Sequence, residues 1–376
     1  MTTHRVTHAI LGAGFAGLSL AYHLLKKGAK GVALLEQEVL PGQHASGRNA
    51  GMIRQILFDE PLALLAHQGA HFLNRLPSGW PDVSFRRCGS LLLGKGEMLL
   101  EVEEASRIAA SLKVAAQWFS KEEISRKIPL LQEGDFEKAL FCPMDGVVDI
   151  RAFLQGYLSL AKELGLQFLP KSQPLKIETK GDRFLIETPN VTIEAEVLVN
   201  AAGSWAGELA TACGGSPMPL NPCRRHLFYS EKRPDASPDW PFIWDVAHQF
   251  YFRPEEGGLL LSPCDEDPIP VGECPVDSSV QGRLKQTLLR HLPTLADVEI
   301  VRAVAGFRTL TPDGRFIIGF DPKRQNLFWV AGLGGHGVTA SYSIGDLASD
   351  ILLDRPHDRT LASVFSPKRF LNLKDD

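Results

Sequence analysis

Short apolar runs that break into glycine-rich turns set the pattern of this chain. Thr7-His-Ala-Ile-Leu11 is short and apolar with little alternation, as a strand covered on both faces should be, and it leads directly into Gly12-Ala-Gly14-Phe15-Ala16-Gly17. The wider stretch from Ala9 to Leu25 has the hydropathy of a signal-peptide core or a membrane span. Its glycines argue against both: Gly12, Gly14 and Gly17 interrupt the run, Lys26-Lys27-Gly28 ends it, and Gly31-Val-Ala-Leu-Leu-Glu36 starts a second apolar segment. The predicted order is strand, turn, helix, strand. Glu196-Val-Leu-Val-Asn200-Ala-Ala202-Gly203-Ser-Trp205 reads as another buried strand, ending in small residues where a ligand could pass close to backbone. Leu327-Phe-Trp-Val-Ala-Gly332-Leu-Gly334-Gly335-His336-Gly337-Val338-Thr339 repeats the scheme, with a helical run from Ala340 to Leu353 behind it. Arg225-His-Leu-Phe-Tyr229 and Phe250-Tyr251-Phe-Arg253 alternate instead, as antiparallel strands with one covered face do.

Composition narrows the classes. The 376 residues exceed a typical single core and predict two lobes, while 44% hydrophobic and 22% charged residues leave ample apolar area for folding. A formal net charge of −4 gives no global reason to bind nucleic acid or an anionic membrane, so any anion recognition must be local. Cys88, Cys142, Cys213, Cys223, Cys264 and Cys274 form no CxxC pair, which suggests neither a metal site nor a disulfide framework and fits a reducing cytoplasm. No other segment approaches about 18 uninterrupted apolar residues, so no membrane span is expected, while attachment to a membrane surface stays open. There is no internal repeat or low-complexity tract.

The first strand and its turn carry dinucleotide chemistry. Gly12 permits the tight turn, Gly14 lets backbone approach a pyrophosphate, and Gly17 lets the helix pack close on the strand. The helix N-terminus then offers exposed N–H groups and a positive dipole end to the phosphates. Glu36 closes the second strand, where a carboxylate accepts both ribose hydroxyls of an adenosine and repels a 2′-phosphate; Gln37 follows it. Three segments favour FAD over NAD. Pro41-Gly-Gln-His44-Ala45-Ser46-Gly47-Arg48-Asn49-Ala50-Gly51 is too polar and glycine-rich for packing alone and supplies donors to a pyrophosphate and flavin. The other two are the strand ends at Asn200–Trp205 and Gly332–Thr339, the second opening a helix whose dipole would stabilise negative charge on a reduced flavin.

These segments together resemble the D-amino-acid oxidase superfamily of flavoproteins, the group that includes glycine oxidase, monomeric sarcosine oxidase and the D-amino-acid dehydrogenases. The likeness spans nearly the whole chain and rests on five ordered motifs: Gly12–Gly17 with Glu36, Ser46–Gly51, Val197-Leu-Val-Asn-Ala-Ala-Gly203, Gly306-Phe-Arg308-Thr-Leu-Thr-Pro312-Asp313-Gly314, and Gly334-Gly-His-Gly337. Within the group the chain looks most like bacterial D-amino-acid dehydrogenases of the D-arginine dehydrogenase type, through Pro41-Gly-Gln-His44, Asp149-Ile-Arg-Ala-Phe-Leu-Gln-Gly-Tyr157, Arg224-Arg225, Phe250-Tyr251 and Phe328-Trp-Val. The resemblance implies an α/β fold, α+β overall, with a Rossmann-like FAD-binding domain and a smaller antiparallel-sheet substrate domain. Residues 1–84, 141–216 and 300–376 are assigned to the first, 85–140 and 217–299 to the second.

The activity implied is hydride transfer from the α-carbon of a neutral amine or amino acid, a D-amino acid by preference, to flavin N5. The resulting imine hydrolyses to a keto acid and ammonia, and O2 or another acceptor takes the electrons. Such a substrate needs a carboxylate anchor, because only a held carboxylate and amine aim the Cα–H at the flavin. Arg225 and Arg308 are the candidates, with Arg224 as the alternative to Arg225 should the strand register differ. Each is weighed against an ordinary ion pair. Tyr251 would hydrogen-bond the same carboxylate, or simply pack. His44 is expected on the substrate side of the flavin, orienting substrate or tuning its deprotonation, and His336 beside the flavin pyrimidine edge. Some relatives attach flavin through a cysteine near Gly306-Phe-Arg308; no cysteine follows Cys274, so noncovalent FAD is expected. Two other readings stay open, a 2-hydroxy-acid or glycerol-phosphate dehydrogenase on the same fold and a FAD- or NAD-binding module without turnover. The strand expected over Ser84-Phe-Arg86-Arg87-Cys88-Gly89-Ser90-Leu-Leu-Leu93 offers the substrate side chain arginines and no carboxylate, so neutral, acidic or N-methylated amino acids are favoured over arginine or lysine. Asp245 is the one nearby acid that could reverse this.

Overall fold

The computed structural model describes residues 2–371. Thr3–Leu11 lies in the middle of a parallel sheet, paired with Thr192–Asn200 on one side and Val32–Leu35 on the other. Leu327–Ala331 and Gln167–Leu169 extend the sheet in the two directions, and Ile317–Phe320 closes one edge antiparallel. Helices cover one face of this sheet, and on the other the antiparallel hairpin of Lys176–Lys180 and Arg183–Glu187 packs Phe184 and Ile186 against it, so the inner strands are dry on both faces, which is why they read as continuous apolar runs. The chain leaves the first strand between two oppositely directed crossovers. In doubly wound sheets that reversal opens a crevice beyond the carboxyl ends of the strands.

The helix Phe15–Lys26 packs between Ile150–Glu163 and Ser341–Leu352. Its close approach is made by small residues. Ser19 Oγ donates to the Ser341 carbonyl at 2.6 Å, and a Cβ on Gly345 would stand 2.7 Å from the Ser19 carbonyl carbon. Tyr157 Oη and Ser341 Oγ, 3.2 Å apart, satisfy each other in the same buried seam.

The second sheet runs Asp267–Pro268, Asn221–Ser230, Gly258–Ser262, Phe250–Glu255, Phe242–Asp245, Ser90–Gly94, Lys138–Cys142, Gln117–Ser120. Ile300–Leu310 pairs along its length with Asn221–Ser230, from Asn221↔Leu310 to Ser230↔Ile300. That strand, grouped with the cofactor segments on sequence, therefore carries Arg308 in the roof of the crevice. Ser84–Leu93 is a strand only over Ser90–Gly94, whose five residues are all buried. Arg86 and Arg87 lie before it, exposed, with Arg86 bonded to the Pro238 carbonyl. Among the described residues, no helix is long and apolar enough to cross a membrane.

Candidate active site

The crevice begins where the parallel strands end. Gly12 has φ +105°, and a Cβ there would stand 2.5 Å from the Ala201 carbonyl oxygen, so the turn admits only glycine. A Cβ on Gly17 would meet the Gly12 carbonyl oxygen at 2.0 Å, and one on Gly14 the Ser46 hydroxyl at 2.8 Å. Glu36 is 7% exposed; its Oε2 accepts the Ala13 N–H and its Oε1 the Glu38 N–H. Burial raises its pKa while those two backbone donors oppose the rise. Two bonds leave the carboxylate with lone pairs for ribose hydroxyls. Gly12, Gly14, Glu36, Gln37, His44, Ala45, Ser46, Ala202, Gly203 and Trp205 line one cavity of about 290 Å3.

A second cavity of about 120 Å3 continues from it through Gly14, Ala45, Ser46, Ala201 and Gly203. Its lining adds Phe15, Ala16, Arg48, Asn49, Arg225, Tyr251, Arg308, Gly334, Gly335, Gly337 and Val338. The loop between the two is held from within and from above. Ser46 Oγ accepts the Phe15 N–H at 3.0 Å and Asn49 Oδ1 the Gly51 N–H at 2.8 Å. Arg48 Nη1 donates to the Ala305 carbonyl at 3.2 Å, Arg253 Nε to the Ala50 carbonyl at 2.8 Å, and a Cβ on Gly306 would stand 2.7 Å from the Arg48 carbonyl oxygen. Of the residues expected to touch a cofactor, Gly17, Ala50, Gly51, Gly306, His336 and Thr339 line neither cavity; Gly17, Gly306 and Thr339 act as spacers or backbone anchors. Thr339 Oγ1 accepts the Arg54 N–H at 3.2 Å.

The roof supplies the side chains. Cys223 faces Arg308 and Arg225 faces Gly306 across paired strands, so Arg225 and Arg308 share one face of the sheet. Arg224 points the other way, to Asp277 Oδ2 at 2.8 Å, which resolves the register in favour of Arg225. The two cavity arginines differ. Arg225 donates to the Asp265 carbonyl at 2.6 Å and pairs with Glu266 at 2.8 Å. Arg308 makes one bond, to the Gly334 carbonyl at 3.2 Å, and lies over Gly335, where a Cβ would collide with its guanidinium. Burial first, then Arg225, lowers its pKa. Tyr251 is 3% exposed, lines the same cavity, and its Oη has no hydrogen-bond partner among the described residues.

Of the two histidines, only His336 lies near the roof. His44 Nε2 lies 3.0 Å from Gln37 Nε2 and from Glu38 Oε1, with its ring against Trp205, at the Glu36 end of the crevice and away from Arg308. Local sequence causes this, because the loop folds back on the strand end that carries Glu36, Gln37 and Glu38. His336 is the histidine near the roof arginines: burial, then Arg54 and Arg308, hold its pKa well below the usual value, so it is neutral. Asp245 is 1% exposed and fully taken up by His248, accepting from its backbone N–H at 3.0 Å and its Nδ1 at 2.9 Å. His248, His291 and Asp135 bring three donor atoms within 4.8 Å of one another, away from both cavity linings, with Lys95 sharing Asp135. Asp245 is therefore not a free acid for a cationic substrate.

The profile of the DAO family, FAD dependent oxidoreductase, matches residues 8–351. This chain belongs to that family. Its members bind FAD, and the donors here fit that cofactor: a buried carboxylate at one end of a continuous crevice, glycine-only backbone at the turn, and a helix N-terminus between them. The DAO-family chain is 28% identical over 371 residues to 4-methylaminobutanoate oxidase (formaldehyde-forming) of Paenarthrobacter nicotinovorans, covering 95% of this chain and 44% of that protein. It is 28% identical to the mitochondrial pyruvate dehydrogenase phosphatase regulatory subunit of Mus musculus (91% and 40% covered), and 26% identical to monomeric sarcosine oxidase of Bacillus sp. strain B-0618 (98% and 97%). The chain thus spans about two-fifths of the length of the first two relatives. In fold it is similar to L-proline dehydrogenase from P. horikoshii, at TM-score 0.86, 19% identity and 98% of each chain covered. Glycine oxidase from Geobacillus kaustophilus superposes at TM-score 0.82, with 23% identity and 97% and 99% covered.

Sequence reasoning missed Arg54, Arg253 and Trp244. Arg54 follows the loop glycine by three residues, in Gly51-Met-Ile-Arg54, a position that only the fold turns toward the roof. Its guanidinium carbon lies 3.9 Å from the Trp244 ring centre.

Proposed function

We propose that this DAO-family chain oxidises a small amine that carries a carboxylate, with noncovalent FAD lying from Glu36 to the roof arginines. The observation that carries the reading is the buried Tyr251 hydroxyl, without a protein partner, beside a guanidinium that lacks an ionic partner, at the end of a dinucleotide crevice. A hydroxyl donor and a planar cation converging on one cavity suit a carboxylate, which accepts from both. Glu36 would hold the ribose, the Gly12–Gly17 turn and helix N-terminus the pyrophosphate, and the Gly332–Val338 loop the ring system. No cysteine is among the residues lining either cavity, which supports noncovalent attachment.

Bound FAD supplies the acceptor for the hydride leaving the carbon beside the nitrogen. The chain's own residues do the rest. Arg308 and Tyr251 fix the carboxylate, which turns a bimolecular encounter into an oriented one. Arg308 in the cavity lining, with Arg54 near it, makes the site cationic and so favours the neutral amine over the ammonium, and no carboxylate base is required. D-amino acids are the class the sequence resemblance favours, and N-methylated amino acids are the class named by the sarcosine and methylaminobutanoate relatives.

The test is anaerobic titration of the FAD-loaded protein with small amino acids and their N-methyl forms, read at the flavin absorption bands. Bleaching supports an enzyme. A flavin that no amine bleaches leaves the non-catalytic reading, which the phosphatase regulatory relative keeps in view.

A further inference from the structure

Arg54 stands apart from the ion-paired arginines around the roof. Arg224 is paired with Asp277, Arg225 with Glu266 and Arg253 with Glu255, whereas the Arg54 guanidinium makes no hydrogen bond or ion pair with any described residue. It is nonetheless fixed in place. Its backbone N–H is bonded to Thr339 Oγ1, and its guanidinium stacks on Trp244. Trp244 is the register partner of Tyr251 on the adjacent strand, so the stacked cation is held next to the phenol assigned to the substrate carboxylate.

The electrostatics are unbalanced in the same direction. Burial and then Arg308 pull the Arg54 pKa down to about 10, so two like charges sit close together and both remain charged at neutral pH. The acid that acts most strongly on Arg54 is Asp145, which is committed to Ser90 at 2.6 Å and Gln55 at 2.8 Å and is itself pushed up to about 6 by burial. No described carboxylate is therefore available to neutralise the second guanidinium. A planar, weakly hydrated cation held by an aromatic face is suited to bidentate capture of an incoming carboxylate.

We infer that Arg54 holds a second anionic group of the substrate, so that this chain prefers amines bearing two carboxylates, one at Arg308 and Tyr251 and the other at Arg54. The inference rests on the proposed placement of the first carboxylate. It makes the Arg54–Trp244 pair, beside Tyr251, a selector next to the cavity: an acid is drawn in, a neutral side chain leaves Arg54 unpaired, and a basic one adds a third positive charge.

The experiment separates this from the reaction itself. Glutarate and butyrate, which carry no amine, are titrated into the FAD-loaded protein and their binding is read from the perturbed flavin spectrum; the second-order rates of anaerobic reduction by glutamate and glutamine are compared in parallel, for both enantiomers. Glutarate should bind more tightly than butyrate by about tenfold or more, the return for one charge-assisted contact, and Arg54→Gln should bring that ratio to about one while Arg54→Lys keeps part of it. A general loss of folding would show as lost FAD retention, so the ratio is read on variant protein that keeps its FAD. Equal affinities in the unaltered protein, or a preference that survives Arg54→Gln, overturns the Arg54 assignment even if amines bleach the flavin. A glutarate preference that depends on Arg54 without bleaching by any amine upholds the assignment and sinks the proposed reaction.

Discussion

The two ends of the crevice are built in different ways. At the Glu36 end much of the ligand surface is backbone and short-range, a turn of six residues, the end of the next strand and the loop after it, all within the first 51 residues, and the strand end at Ala202, Gly203 and Trp205 completes it. At the roof end it is side chains delivered from Arg54, Arg225, Tyr251 and Arg308, separated by up to 254 residues in the chain (308 − 54). A backbone-made site is constrained by sterics that only glycine meets, as at Gly12 and Gly17, so it leaves a motif. A site made of side chains needs only the fold. It can change its chemistry by single substitutions while the cofactor end stays the same, which is how one family serves different amines.

The contrast can be broken at either end. Arg308→Met should produce the largest loss, on the order of 2–5 kcal/mol in carboxylate binding, since it removes a buried charge-assisted contact. FAD content should be retained. Unaltered ligand binding and turnover would remove Arg308 from the site. Next, Asp145 links the roof to stability through pH. Its carboxyl has a folded value near 6 against an ordinary 3.8, so between those values the folded protein binds the proton more tightly than the unfolded chain does. Stability therefore falls as pH rises through that window, by up to about 3 kcal/mol for a shift of roughly two units. Asp145→Asn should flatten the pH dependence of denaturant unfolding from pH 4 to pH 7; an unchanged slope would mean that Asp145 does not titrate there. The smallest effect is expected at the backbone-made end. Glu36→Ala removes one charged acceptor among many backbone contacts and should weaken FAD binding by about 1.5–3 kcal/mol with the fold intact, measured by flavin release on dilution. Undiminished FAD affinity would count against Glu36 as the ribose ligand.

The same contrast explains what the sequence disclosed. Gly12, Gly14, Gly17 and Glu36 were legible because their spacing follows from the turn they make. The alternating runs at Arg225–Tyr229 and Phe250–Arg253 announced antiparallel strands, yet not which neighbour each would pair with. Hence Ile300–Leu310 fell among the cofactor segments, although its length and pairing bind it to the roof. His44 was expected beside the substrate and sits by Gln37 and Glu38, because a seven-residue loop closes on itself before it can reach the roof. Arg86 and Arg87 were expected to shape the pocket and are exposed. The positive charge is supplied by Arg54, which periodicity cannot reveal, since its partner Trp244 is 190 residues away (244 − 54). A preference against basic substrates would then rest on Arg54 and Arg308 in place of Arg86 and Arg87.

The central claim is that one crevice presents a flavin to an amine held by its carboxylate. The most direct measurement compares second-order rate constants for anaerobic flavin reduction by N-methylglycine, by glycolate, its hydroxy counterpart, and by N-methylethylamine, which lacks the carboxylate. The account predicts that N-methylglycine reduces the flavin faster than either of the others, by about a hundredfold over the amine without a carboxylate, the equivalent of one buried charge-assisted contact. Faster reduction by glycolate, or equal rates with and without the carboxylate, would contradict it.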